Sequence, residues 1–291
     1  MALTYHVPAG AIDVAALLEP FVYQVACEEA DLLGEPADMR GAMRDGVFFR
    51  LYMPLVSTRS IELGFEAGRF SATAQVGASD DDHVLARQLA ARAATVAKSS
   101  IAVGVATYSH RDLARFETAF GAARIREQTR FETATLVAAV RNEQQVMKLD
   151  GPVRTFHFGP RMLSEILTRD AADRDLWLTA RIHATQWPEV DHVAPDILEY
   201  DEPRFTAVQW RPGVRHLLES CDYYMLAAGE LDDAALAAAV MVPAAELSDL
   251  AGDTLTWLDE RNAILEPVPV ARWDAFLARA RRFHRDPFTT P

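Results

Sequence analysis

The sequence predicts an α+β fold, in which a mainly antiparallel sheet is packed by helices. The runs 60–66 and 69–76 alternate apolar with polar residues, which is typical of a hairpin with one buried face. The segment from Asp80 to about Lys98 begins with three acids and ends with a lysine, and both features suit a helix dipole. After Gly229 the pattern changes to helices alone. These observations predict antiparallel strands, covering helices and a helical C-terminal segment.

The first part of the chain carries the clearest periodicity. Its predicted elements are a strand at 3–7, a helix at 11–33 that is kinked at Pro20 or divided there into two shorter helices, a strand at 47–55, the hairpin turning at Ala67-Gly68, the helix from Asp80, a strand at 101–107 and a helix after Ser109.

The second part centres on the stretch 144–167. Asp150-Gly151 lies between extended runs at 145–149 and 153–158, which predicts a two-residue hairpin turn. Pro160 then begins a short helix to about Arg169. On either side we predict strands, at 133–141 from its Thr and Val content and at 175–186 from its alternation.

Both parts then share the order β-β-β-α-β, about eighty residues apart. This order is compatible with two tandem structural units; the alternative is one mixed α+β sheet without internal symmetry. The corresponding segments are 1–125, 126–229 and a helical 230–291, which could also pack as one domain.

The remaining C-terminal part alternates loops, strands and helices. We predict a long acidic loop at 188–203, a strand at 205–210, a helix from Pro212 to Ser220 and a strand at 222–227. Helices follow at 231–240, 244–250, 253–262 and 270–283.

Composition limits the classes of function. The chain has 291 residues and a formal net charge of −13, which disfavours nucleic acids and anionic membranes as partners. Its two cysteines, Cys27 and Cys221, are far apart, as in proteins of a reducing compartment. No apolar run is long enough for a membrane span, and the first ten residues do not resemble a signal peptide, so we expect a cytoplasmic protein.

No strong catalytic motif is present. The sequence lacks GxGxxG, the P-loop, GxSxG and HExxH, so no cofactor is predicted. His183, Asp191 and His192 have no known metal-ligand spacing, and we predict no metal site. Cys221 with His216 could form a nucleophile and base, but a thiol near a helix C-terminus is better explained as structural.

One small-molecule site is a candidate. Arg154, His157, Arg161 and Glu165 surround the start of the helix at Pro160, where free backbone N–H groups favour an anion. Helical ion pairs of Glu165 with Arg161 and with Arg169 would explain the same charges without any ligand.

A partner surface is the other candidate. The acids of the loop at 188–203 have no basic neighbour before Arg204; they are Glu189, Asp191, Asp196, Glu199, Asp201 and Glu202. An acidic face steers a basic partner. The sequence therefore favours a non-enzymatic protein that binds another protein, as an adaptor, an effector-associated factor or an immunity-type inhibitor. The alternative is a hydrolase or transferase acting on an anionic small molecule through Arg154, His157 and Arg161.

Overall fold

The computed structural model describes residues 2–21, 26–27, 42–43, 46–189, 191, 193, 197–201, 204–219, 221–227 and 238–288. The chain divides into two compact units, Met1–Trp187 and Pro188–Pro291. Each unit combines helices with mainly antiparallel sheet, which confirms the predicted α+β class. The boundary between the units falls after Trp187, inside the segment predicted as 126–229.

The first unit is built around a seven-stranded antiparallel sheet. The elements of this unit, in chain order, are β1 (Leu3–Pro8), β2 (Ile12–Asp13), α1 (Val14–Leu18), β3 (Ala26–Cys27), β4 (Ala42–Met43), β5 (Val47–Tyr52), β6 (Ile61–Glu66), β7 (Arg69–Ala74), α2 (Asp80–Ala97), β8 (Ser100–Val103), β9 (Ala106–Ser109), α3 (Leu113–Ala119), α4 (Ala122–Glu143), β10 (Met147–Asp150), β11 (Thr155–Phe158), α5 (Pro160–Leu167) and α6 (Arg174–Gln186). The strand order in the sheet is β3-β5-β6-β7-β1-β8-β9.

The predicted hairpin and helix of this unit are both confirmed. β6 and β7 pair from Ile61 with Ala74 to Glu66 with Arg69, and Ala67 and Gly68 both have positive φ, as a two-residue hairpin turn requires. Helix α2 then packs against β1 and β7. Its N-terminus is a capping box, in which the Ser79 hydroxyl accepts the N–H of Asp82 and the Asp82 carboxylate accepts the N–H of Ser79.

Two other predictions for this unit are corrected. One concerns residues 11–33, and the other concerns residues 101–107. The helix predicted at 11–33 is short: α1 is followed by a 3₁₀ turn at Glu19–Phe21, and most of 22–33 lies outside the described residues. The strand predicted at 101–107 is a hairpin of β8 and β9.

The strands predicted at 133–141 and 175–186 are helices. The first lies inside α4, and the second is α6. In α6 the buried positions include Leu178, Ile182 and Gln186, a helical spacing of four, whereas Leu176 is largely exposed. The second part of the unit is therefore α4-β10-β11-α5-α6, and the prediction of two tandem β-β-β-α-β units is wrong.

The hairpin at Asp150-Gly151 forms, but with a longer turn than predicted. β10 and β11 pair from Met147 with Phe158 to Asp150 with Thr155, so four residues connect the strands. The side chain of Gln186 fills this turn. A Cβ atom on Gly151 would lie 2.4 Å from Gln186 Cδ, which explains the glycine by close approach and not by a positive φ.

The second unit contains a four-stranded and a three-stranded sheet. Its elements, in chain order, are β12 (Ile197–Asp201), β13 (Arg204–Trp210), β14 (His216–Leu218), β15 (Tyr223–Leu226), β16 (Val240–Pro243), α7 (Leu247–Ala251), β17 (Leu255–Trp257), β18 (Ala263–Leu265) and α8 (Trp273–Ala280). The sheet orders are β12-β13-β15-β16 and β14-β18-β17. β13 and β15 run parallel, and the other pairs are antiparallel.

Several C-terminal predictions are corrected here. The acidic loop at 188–203 contains strand β12, the helix predicted from Pro212 is strand β14, and the helix predicted at 253–262 is β17 with a turn. The segment 230–291 is therefore mixed and not purely helical. The helices at 244–250 and 270–283 are confirmed as α7 and α8 with flanking 3₁₀ turns. Most of the helix predicted at 231–240 lies outside the described residues.

Candidate functional site

Arg154 and Glu165, from the predicted anion site, both contact helix α6. Arg154 Nη1 donates to the main-chain carbonyl of Gln186 at 3.1 Å. The Gln186 side chain in turn accepts the N–H groups of Val153 and Arg154 and donates to the Arg154 carbonyl. Glu165 pairs with Arg181 at 2.6 Å. Arg154 and Glu165 thus tie the β10–β11 turn and α5 to helix α6.

The other two predicted residues lie on the elements expected for them. His157 is buried in β11, opposite Lys148 of β10. Arg161 is the second residue of α5 and is partly buried. The contacts of Glu165 and Arg154 point to different turns of α6, so the structure does not show the four side chains converging on one ligand position.

The acidic segment forms part of a sheet edge. Glu199 and Asp201 are exposed on β12, which lies at the end of the four-stranded sheet. Between them Tyr200 turns inward and stacks on Phe205 with 4.4 Å between ring centroids. Glu189 and Asp191 are exposed as well, while Asp196 and Glu202 lie outside the described residues. We call Glu199 and Asp201 the acidic edge.

The negative charge is unevenly distributed along the chain. Residues 188–291 contain 19 acidic and 9 basic side chains, so they carry −10 of the formal net charge of −13. The acidic edge therefore belongs to the more negative unit. The sequence pattern pointed to the acids of this segment but not to the strand that presents them.

A buried polar cluster occupies the first unit at the start of α2. Asp82 is fully buried, and its Oδ2 accepts the hydroxyl of Thr58 at 2.9 Å and the N–H of the same residue at 3.0 Å. The same oxygen accepts the N–H groups of Arg59 at 3.2 Å and Ser79 at 2.9 Å. This single carboxylate fixes the segment between β5 and β6 to α2.

His83 and Glu132 continue this cluster toward α4. His83 Nε2 lies 4.0 Å from Glu132 Oε2, and both side chains are almost completely buried. Burial raises the pKa of Glu132 to about 7, against a weaker opposing effect of the hydrogen bond from Gln128, and burial lowers the pKa of His83 to about 4. Both groups are therefore neutral over much of the range between these values.

A carboxyl group with a pKa near 7 could exchange protons with a substrate in an open site. Here Glu132 is closed off from solvent, and Gln128 Nε2 donates to its Oε1 at 2.7 Å. The cluster is therefore best explained as a packed polar core. The sequence does not single out Glu132, because acids interleaved with arginines are typical of a solvent-exposed helix.

Among the minor candidates from the sequence, His183 and Cys221 make structural contacts, Asp191 is exposed, and His192 lies outside the described residues. His183 Nε2 donates to the carbonyl of Leu55 at 3.0 Å, which again ties α6 to the segment after β5. Cys221 is a free, buried thiol whose pKa burial raises to about 12, which makes it a poor nucleophile. Among the residues that the structure describes, no cluster of His, Cys, Asp or Glu could hold a metal ion.

A cavity of about 230 Å³ opens along one face of α4. Alanine and valine side chains form its apolar floor; they belong to Ala134, Val137, Ala138 and Ala171. Arg130, Thr133, Arg141, Arg174 and Asp175 supply its polar lining. We call it the basic cavity, because three guanidinium groups face a single carboxylate.

A second cavity, of about 490 Å³, lies in the other unit. Tyr200 and Phe288 line it together with Arg281, His284 and Asp286. His284 Nδ1 accepts the N–H of Met241 at 3.0 Å, so its ring is held by β16. The aromatic walls also pack on one another, with Tyr200 and Phe288 centroids 5.7 Å apart.

Comparison with known proteins adds no assignment to these sites. Within the described residues, no helix combines the length and apolar character that a membrane span needs. No protein-family model, curated protein or solved structure matches the chain significantly.

Proposed function

We propose that the chain is a non-enzymatic binding protein that engages a basic protein partner through the acidic edge of its second unit. The observation that supports this proposal is the exposure of Glu199 and Asp201 on an edge strand. An edge strand offers unpaired backbone N–H and C=O groups, and a partner segment can add to it as a further strand.

The alternation of side chains along β12 favours a basic partner strand. Tyr200 faces the interior, so Glu199 and Asp201 share the opposite, solvent face, roughly 7 Å apart along the strand. Acids on an edge repel acidic strands, and they disfavour apolar strands because pairing would remove their charges from water, so they protect against unspecific pairing. The same acids favour a strand that carries Lys or Arg, and the charge of −10 over 188–291 attracts such a partner at long range.

A capture experiment with charge-reversed variants tests the proposal. We would immobilise the wild-type chain, the variant E199K/D201K and the control D249K/D253K, and identify proteins retained from a native-host extract by mass spectrometry. The control changes two exposed acids of the same unit by the same charge but leaves β12 intact. We expect a stoichiometric partner on the wild type and on the control, and its loss on E199K/D201K.

Two outcomes would refute this function. One is the absence of any stoichiometric partner, and the other is equal loss of the partner in both variants, which would indicate unspecific attraction. The alternative, a hydrolase or transferase that uses Arg154, His157 and Arg161, has less support, because Arg154 contacts the end of α6 and Glu165 pairs with Arg181.

A further inference from the structure

We propose that the basic cavity binds a small phosphorylated, hydroxyl-bearing metabolite, independently of the acidic edge. The cavity lies in the first unit, and the acidic edge lies in the second. Its polar lining combines three arginines with a buried carboxylate. A phosphate monoester supplies the opposite charge, and a hydroxyl group supplies a hydrogen-bond donor.

The arginines establish the preference for an anion. The lining residues of α4 recur three and four apart, so they form one stripe along the helix, with Arg130 and Arg141 roughly 16 Å apart along its axis. Arg174 joins them from the first turn of α6. In the part of the chain that the structure describes, Arg141 and Arg174 form no ion pair with a carboxylate. A positive cavity is unexpected in a chain of net charge −13.

Phosphate suits these arginines better than chloride or water. A guanidinium group donates two parallel N–H bonds to a phosphate, which adds geometric selectivity to the charge. Arg174 Nε donates to the carbonyl of Arg169 at 3.3 Å, which orients this side chain before any ligand arrives. We assign the phosphate to Arg141 and Arg174, because Arg130 is engaged by Asp175 at 3.5 Å.

Asp175 is the reason for expecting a hydroxyl group on the ligand. This side chain is about 95% buried, and its Oδ1 has no hydrogen-bond partner among the described atoms. A buried acceptor without a partner is unfavourable, so a hydrogen-bond donor on the ligand would be stabilised at this oxygen. A hydroxyl of the ligand donates to this carboxylate while the phosphate lies between the arginines.

The neighbouring charges leave the cavity positive. Asp80 of α2 is close enough to Asp175 for the latter to raise its pKa, although burial is the larger cause. Arg126 lies 3.8 Å from Asp80 and offsets it. The volume of about 230 Å³ limits the ligand to a few carbon atoms beside the phosphate.

Isothermal titration calorimetry on the full chain at low ionic strength tests the assignment with three probes. They are glycerol 3-phosphate, inorganic phosphate and glycerol. We expect saturable binding of the first two, with glycerol 3-phosphate the tighter, and no binding of glycerol. R141Q and R174Q should each weaken the binding of glycerol 3-phosphate by about tenfold or more. The matched control R115Q removes an exposed arginine of α3 outside the cavity and should change the affinity by less than about twofold.

The variant D175N separates the two parts of the proposal. This variant should reduce the difference in affinity between glycerol 3-phosphate and inorganic phosphate. Inorganic phosphate should still bind. Arg141 is exposed, so R141Q reports on binding even if D175N impairs folding. The proposal is overturned if neither phosphate compound binds, or if R115Q weakens binding as much as R141Q. Equal affinity of both phosphate compounds in the wild type would overturn the hydroxyl contact. None of these results depends on the protein partner.

Discussion

Asp82 is the residue on which the polar core of the first unit most depends. One oxygen accepts three backbone N–H groups and the Thr58 hydroxyl. We predict that Asp82→Ala lowers the free energy of unfolding by about 3 kcal/mol, because several buried donors lose their partner. The control Ser79→Ala removes only one bond of the capping box and should cost about 1 kcal/mol. Urea denaturation of both variants measures the difference, and equal costs would contradict the role given to Asp82.

Glu132 and His83 make stability depend on pH in opposite directions. The fold raises the pKa of Glu132 from 4.5 to about 7, so the folded state holds this proton more tightly and stability falls as the pH rises from about 4.5 to about 7. The fold lowers the pKa of His83 from 6.5 to about 4, so stability falls as the pH decreases from about 6.5 to about 4. Over the shared range the two effects oppose each other.

The variant Glu132→Gln isolates one of these effects. Gln is neutral at every pH and retains an oxygen that can accept from Gln128, so the loss of stability toward higher pH should disappear. We predict that the stability of the variant relative to the wild type increases between about pH 5 and about pH 8. Urea denaturation at both pH values tests this. The exposed Glu127→Gln on the same helix should show no such increase, and a constant difference for Glu132→Gln would refute the prediction.

At the scale of elements, the β10–β11 turn and the end of α6 depend on one another. Gly151 leaves space for the Gln186 side chain, which makes three hydrogen bonds to the turn. We predict that Gly151→Ala costs about 2 kcal/mol, because Gln186 must move and lose these bonds. Gly10→Ala should be nearly neutral, since a Cβ there meets nothing within 4 Å.

A double-mutant cycle measured by urea denaturation separates steric from hydrogen-bond effects. If the Gly151→Ala cost comes from displaced Gln186 bonds, the double variant with Gln186→Ala should lose clearly less than the sum of the single losses. Strict additivity would show that the two residues act separately.

The elements also show what a sequence pattern can and cannot predict. The 61–66 and 69–74 hairpin was predictable because its alternation and turn chemistry agree. In α4, the buried stripe includes Thr129, Glu132 and Thr133, so its helical period is hidden from a pattern that counts only apolar residues. In α6, the exposed Leu176 made apolar and polar residues alternate in the sequence, and this pattern wrongly predicted a strand.

The candidate sites were predictable to a smaller extent. The acids of the acidic edge stand out in the sequence, but the strand that presents them does not. Arg154 and Glu165 were visible as charges, while their contacts with α6 arise only from tertiary packing. The basic cavity combines α4 with the start of α6, segments more than thirty residues apart, and both were predicted as strands. No local pattern could have brought them together.

At the scale of the whole molecule, the two units differ in net charge. Residues 188–291 carry −10, whereas 1–187 contain 23 acidic and 20 basic side chains and carry −3. Self-repulsion destabilises a compact unit of high net charge. Self-repulsion should therefore lower the stability of the more acidic unit more than that of the first unit.

Salt should accordingly stabilise the second unit more than the first. At about 0.1 M salt the Debye length is about 10 Å, so added salt weakens repulsion across a unit of this size. We predict that raising sodium chloride from about 20 to about 300 mM slows amide hydrogen exchange more in β13 and β15 than in β6 and β7. The exchange is carried out on the intact chain, and mass spectrometry of the peptides after digestion compares both units in one sample. A general salt effect on apolar burial would slow exchange in both units alike, and that result would show that the uneven charge has no energetic consequence.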